Sequence, residues 1–306
     1  LSIIQSCYSP AVQASVPVLS SNENLMKSNA VINQVQSLSS LLGPVIGGIL
    51  FGLWGLTPII IIGAASFFIS AVMELFIHIP SVKQEKESNV FTLIKNDAQE
   101  SFAFILHQNP VIFKILLVVC AFNLFISSLM VVGIPTIITI NLALSSQLYG
   151  ISQGFMAAGA LLGGLMTGLL SNKLTVDKAH LILAGSALSV VPIALVLILP
   201  LPAMVCYVVI TLFSMILMAL ASIFSIMMLS YLQMMTPNEL IGKVMSVVIA
   251  LSVCSQPIGQ TMYGFLFSSF SAQPYIVILG AVIITFLITL LSRPLFKDLS
   301  LDMDFN

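Results

Sequence analysis

The most constraining feature of the chain is where its positive charges fall. Eight apolar stretches, near residues 32–55, 57–78, 111–141, 147–170, 179–199, 203–232, 244–268 and 274–292, are almost free of charge. Each is long enough to cross a bilayer as a helix. All ten Lys and Arg sit in alternate connections or at the adjoining helix ends: Lys27; Lys83, Lys86, Lys95 and Lys114; Lys173 and Lys178; Lys243; Arg293 and Lys297. The intervening connections, near 55–58, 141–147, 199–203 and 268–274, hold none. Cytoplasmic loops are enriched in Lys and Arg, so the charged connections and the C-terminus are expected on the cytoplasmic side of a cell membrane. A missed or invented span would scramble the alternation.

Composition agrees. Charged residues are 7% and apolar ones 58%, against about 25% and 45–50% in soluble domains. The mean hydropathy is +1.12. The expected fold class is therefore an all-α polytopic membrane protein, with eight full spans and a partial one before residue 16, in contact with a lipid bilayer. In hydrocarbon every backbone N–H and C=O needs an internal partner, which leaves helices as the spanning element for runs of this length.

Several chemistries find no support in the sequence. There is no Walker loop and no basic cluster of the kind that binds nucleic acid. His78, His107 and His180 stand singly near helix ends, without ligand spacing. Cys7, Cys120, Cys206 and Cys254 are scattered and read as packing residues. No metal, cofactor or catalytic set is expected, and the chain does not read as an enzyme.

Residues 29–52 concentrate small side chains at helical spacing: Ala30, Ser37, Ser40, Gly43, Gly47 and Gly48. Helices in lipid associate through such close approaches. Pro44 removes a backbone donor and crowds the carbonyl of Ser40, so a bend is expected there. A second ladder, Gly150, Gly154, Gly159, Gly163, Gly164 and Gly168, is another surface built for close approach. An internal echo also appears. Asn22-Glu23-x-x-x-Lys27 and Asn238-Glu239-x-x-x-Lys243 each open an apolar helix carrying a proline and then Gly-x-x-x-x-Gly, at Gly47/Gly52 and Gly259/Gly264. That is a repeat at a separation of six helices.

Gly43-Pro44-x-x-Gly47-Gly48 resembles the antiporter motif in helix five of drug exporters of the major facilitator superfamily. The family pattern has two further glycines upstream, where this chain has Ala30 and Ser39. Gly168-x-x-x-Asn172-Lys173 resembles the family's loop signature, with Asn172 in place of Asp. The similarity extends over the whole chain and is strongest to macrolide-efflux-like permeases. It implies a twelve-helix, two-bundle transporter of which helices one to three and most of helix four are absent. Residues 1–79 would close the first bundle, 80–110 form a cytoplasmic amphipathic linker, 111–293 make the second bundle and 294–306 a cytoplasmic tail. On the linker, Val90, Ile94, Ala98, Phe102 and Ile105 share one helical face.

The resemblance implies proton-coupled antiport of an amphipathic small molecule by alternating access, with Gly43, Pro44, Gly47 and Gly48 in gating and Gly154, Gly159 and Gly163 in interbundle packing. Glu74, a carboxylate inside an apolar span, is a candidate proton carrier. In-span amides and hydroxyls, among them Asn33, Gln34, Gln36, Asn123, Ser127, Ser128, Gln153, Gln233, Gln256 and Gln260, need partners or a wet cavity. Asn123, Gln256, Met218 and Tyr231 are the candidates for the substrate cavity, the last two from a methionine-rich helix suited to varied apolar shapes. The residues leave open an inactive remnant, an uptake permease, or a polytopic membrane enzyme.

The threading is directly testable. Lys173→Cys and Lys243→Cys, introduced singly into a chain without other cysteines, are expected to react with an impermeant thiol reagent from the same membrane face. Reaction from opposite faces would overturn the topology.

Overall fold

A chain that turns back after every apolar run needs helix starts and stops, and several are visible in the computed structural model. It describes residues 12, 15–16, 19, 25–54, 56–76, 90–171, 174–237 and 239–304. Long helices run from Leu25–Trp54 (α1) and Leu56–Glu74 (α2). A shorter one, Val90–Ala103 (α3), continues as a π-helical turn at Phe104–Gln108. Pro110–Asn141 (α4) begins with proline at its first turn, where the missing N–H has no intrahelical partner to lose. Ser146–Leu169 (α5) is capped by Ser145, whose Oγ accepts from the Leu148 N–H at 3.5 Å. Ala179–Ile198 (α6), Ala203–Met234 (α7), Ile241–Ser269 (α8) and Pro274–Asp304 (α9) complete the order. No strand occurs among the described residues.

Among the described residues, seven helical spans are long and apolar enough to cross a membrane. They are α2, α4, α5, α6 with its short lead-in from Val176, α7, α8 and α9, the last counted to Phe296. The helix α1, which carries the amides of Asn29, Asn33, Gln34 and Gln36, is not among them. The helices match the eight expected runs, with ends displaced by a few residues and α1 starting earlier, at Leu25. The last helix continues through Pro294 to Asp304, where a tail from residue 294 was expected.

Helices α4 to α9 pack as one bundle. Within it α5 lies along α7, α6 lies between α7 and α9, and α4 lies against α8. The core is aliphatic and aromatic, with Ile115, Ile126, Leu183, Ile210, Leu217 and Phe224 all buried. Phe122 and Phe224 stack with centroids 5.0 Å apart. The outer face of α6 turns Leu181, Leu188 and Leu195 outward at heptad spacing, as a lipid-facing stripe does. No residue of α2 between Thr57 and Glu74 is buried.

The closest approaches are backbone to backbone. A Cβ added at Gly159 would stand 2.1 Å from the Met215 carbonyl oxygen, and one at Gly163 would stand 2.2 Å from that of Ala219. At Gly259 it would stand 2.0 Å from the carbonyl oxygen of Leu124. These glycines let α5 meet α7, and α8 meet α4, at a separation that no other residue permits. The second glycine ladder therefore divides its faces: Gly159 and Gly163 pack inside the bundle, whereas Gly164 and Gly168 turn toward α1.

Outside the bundle, Lys243 at the start of α8 binds Asp97 (2.8 Å) and Glu100 (2.7 Å) of α3. Of the residues expected to share the linker's apolar face, Ala98 is half-buried, Phe102 exposed and Ile105 buried, the last within the π-helical turn. The side chains of Val90 and Ile94 lie outside the described residues.

Gly159→Ala and Gly163→Ala should each destabilise the bundle by about 1–3 kcal/mol, the cost of overpacking a close-packed interface. Gly43→Ala, whose Cβ would meet nothing within 4 Å, should not. Loss of helical circular dichroism on heating in detergent measures all three.

Candidate functional site

Between α1, α4, α5, α7 and α8 lies a cavity of 370 Å³. Each wall follows from local sequence. On α1, Asn29, Asn33 and Ser37 recur every four residues and so share a face. Asn33 and Ser37 reach the cavity. On α7, Met218, Ala221, Ser222 and Ser225 face them. On α5 the wall is Tyr149, Gln153, Met156 and Ala160, with Gln153 Nε2 donating to the Tyr149 hydroxyl at 2.9 Å.

The α4 wall is less regular. Beyond Phe122 the helix widens into π-helical turns at Asn123–Ser127, Leu129–Gly133 and Thr136–Asn141. Such turns occur often at functional sites and reset which residues share a face. Here Phe122, Ser127, Met130 and Val131 face the cavity. The Ser128 hydroxyl lies 3.0 Å from the Asn123 carbonyl and 2.9 Å from that of Gln256, so one proton serves both oxygens and joins α4 to α8. Gln256 adds its amide to the lining.

The wall has one chemical character. It carries no carboxylate, amine or imidazole among the described residues; it mixes thioethers and two aromatic rings with hydroxyls and amides. Ser127, Ser225 and Gln256 make no side-chain hydrogen bond to the described residues. Such groups can meet an occupant's own donors and acceptors.

One end is closed by α1. Asn29 Nδ2 donates to Gln233 Oε1 at 2.6 Å, both side chains being buried. Ser222 Oγ donates to Asn33 Oδ1 at 3.1 Å. A Cβ on Gly168 would lie 3.9 Å from that of Ala30, and one on Gly164 would lie 3.4 Å from Asn33 Oδ1. A second cavity of 180 Å³ sits within this closure and shares Asn33 and Ser225 with the first. Toward the other end of α1, among the described residues, Leu38, Leu42 and Ile46 are exposed.

The expected site residues divide accordingly. Gln256 and Met218 line the cavity; Asn123 and Tyr231 do not. Asn123 Nδ2 donates to the Val119 carbonyl of its own helix at 3.1 Å. The Tyr231 hydroxyl donates to the Leu174 carbonyl at 3.3 Å, near the charged end of the bundle. Gly43 is exposed in α1, and the close approach expected of it is made by Ala30 instead. The surroundings of Pro44, Gly47 and Gly48 lie outside the described residues, as do Asn172 and Lys173; α1 runs unbroken through Pro44. Gly154 is half-buried on α5, and Glu74 is the exposed last residue of α2, away from the cavity lining. Asn29, Tyr149, Ser222 and Ser225 were not anticipated. The four-residue spacing of Asn29, Asn33 and Ser37 is the signal that marks the first.

A helical bundle bordering a cavity of apolar and uncharged polar side chains, with a helix from outside the bundle packed against it, is an arrangement suited to a membrane transporter. The family model of the Major Facilitator Superfamily matches residues 1–252, and the chain belongs to that family. Over 186 residues it is 27% identical to macrolide efflux protein A of Enterococcus faecalis, covering 60% of this chain and 57% of that one. It is 26% identical over 186 residues to macrolide efflux protein A of Streptococcus pyogenes, covering 60% and 45%. The chain thus spans about half the length of the curated relatives it matches. In fold it is similar to a crystal structure of a bacterial homologue of the iron transporter ferroportin in an outward-facing state. The TM-score is 0.66 at 17% identity, over 96% of this chain and 69% of that one. A second structure of such a homologue, with soaked iron, gives a TM-score of 0.63.

Proposed function

We propose that the chain belongs to an exporter of amphipathic, macrolide-like small molecules that works by proton-coupled antiport. The observation that carries the reading is the cavity wall. Met130, Met156, Met218 and Phe122 offer a soft apolar surface, and the amides of Asn33 and Gln256 offer uncharged hydrogen bonding. Thioethers adapt to varied apolar shapes. Hydroxyls, carbonyls and ethers on an apolar frame are what such a wall accommodates. The similarity to macrolide efflux proteins supports the same class.

Alternating access is supported by the one-sided closure. The hydrogen bonds from α1 to α7 lie toward its Lys27 end, which the charge pattern assigns to the cytoplasmic side, and beyond Ser37 the described Leu38, Leu42 and Ile46 are exposed. That is the shape of a state open away from the cytoplasm. Proton coupling rests on the antiporter-motif resemblance at Gly43-Pro44-x-x-Gly47-Gly48. Glu74 is the carboxylate candidate within a span, and its distance from the cavity wall sets it apart from substrate binding.

Everted membrane vesicles containing the chain should accumulate erythromycin when a proton gradient, acid inside, is imposed, and lose it when nigericin collapses the gradient. Gln256→Leu should raise the apparent KM about tenfold, the worth of one good uncharged hydrogen bond. Vesicles that fail to accumulate the drug would overturn the reading. Accumulation only in right-side-out vesicles would reverse its direction.

A further inference from the structure

Asn33 is the one residue of the closure whose amide also reaches the central cavity. It lines that cavity and the smaller one behind it. Its Oδ1 accepts from Ser222 Oγ on α7 at 3.1 Å and from Ser37 Oγ, one turn along α1, at 3.5 Å. A Cβ on Gly164 of α5 would stand 3.4 Å from the same oxygen. Three helices thus converge on one carbonyl oxygen, whose two lone pairs are both in use. Its Nδ2, by contrast, makes no hydrogen bond to the described residues.

We infer that Asn33 couples occupancy of the cavity to the closed end, because the amide that receives the occupant is the amide that holds α1 to α7. This rests on the substrate reading above. An occupant with an acceptor oxygen takes the idle Nδ2 donors, and one with a hydroxyl competes with Ser222 for Oδ1. Either draws the amide toward the cavity and weakens the Asn33–Ser222 link. An empty cavity leaves the link intact and the end shut. The occupant is therefore an uncharged or weakly charged molecule presenting hydroxyl, ether or carbonyl oxygens at its contact with α1. Asn29 differs: its Nδ2 is engaged with Gln233, and it lines the smaller cavity alone.

The closure supplies its own reporter. A Cβ on Gly168 would lie 3.9 Å from that of Ala30, inside the range of about 3.5–4.5 Å that a disulfide requires. Ala30→Cys and Gly168→Cys are introduced together in a chain carrying Cys7→Ala, Cys120→Ala, Cys206→Ala and Cys254→Ala. It is reconstituted in liposomes and oxidised with copper phenanthroline, and erythromycin binding is measured alongside by equilibrium dialysis. Saturating erythromycin is expected to slow crosslinking about fivefold, at the low end of couplings between sites. With Asn33→Ala added, crosslinking is slower from the outset and erythromycin changes it no further. With Asn29→Ala added, crosslinking is also slower, yet erythromycin still slows it more. Erythromycin that binds without altering crosslinking would overturn this inference alone, as would a ligand response that survives Asn33→Ala. Absence of erythromycin binding in every chain would overturn the proposed function and this inference with it.

Discussion

Contact between backbones across Gly159 and Gly163 is what the arrangement depends on. In lipid the hydrophobic effect does little to press one apolar helix on another, so association rests on close packing and interhelical hydrogen bonds. With carbonyl oxygens of Met215 and Ala219 lying about where a Cβ would be, α5 and α7 are held at a fixed rotation as well as a short distance. That rotation turns Gln153, Met156 and Ala160 of one helix and Met218, Ser222 and Ser225 of the other toward a common space. Gly259 does the same for α8 against α4 and aims Gln256 inward. The cavity is what remains between helices that touch elsewhere.

Its closure is built from a different material. The bundle is locked by apposed backbones, whereas α1 packs along α5 and α7 by side chains, with two uncharged hydrogen bonds and a contact of small residues at Ala30 and Gly168 toward its Lys27 end. Each such bond contributes only about 0.5–1.5 kcal/mol net. An attachment of that size can be opened by differential binding of a ligand to two states, whereas the glycine contacts of the bundle cannot slide without rebuilding. The ion pairs of Lys243 with Asp97 and Glu100 add a surface tie between the linker helix and α8.

How much of the site was legible depended on what set each residue's direction. Gln256 and Met218 lie on helices that keep regular periodicity near the cavity, and their role could be read from chemical type and location. Asn123 lies where α4 opens into successive π-helical turns, so its neighbour Phe122 and the later Ser127 face the cavity instead. A period of 3.6 residues carries no sign of that change. Tyr231 was chosen for its methionine-rich surroundings, but its distance along α7 carries it past the cavity to the Leu174 carbonyl. Small residues at helical spacing reveal a face fit for close approach without saying which stretch of it finds a partner; among the described residues Ala30 meets Gly168, while a Cβ on Gly43 would meet nothing within 4 Å.

The sequence by itself determined which apolar runs become helices among the described residues, with α1 and α9 outrunning theirs, and the alternation of charge between connections. Those are penalties that each segment meets alone: an unpaired peptide group or a buried charge in hydrocarbon is costly whatever the neighbours do. The tertiary structure alone decided which glycines meet a carbonyl, which amides face the cavity and which of them also hold its closed end. An uncharged polar side chain is satisfied by any partner within reach, and only the rotation and register of packed helices determine which partner that is.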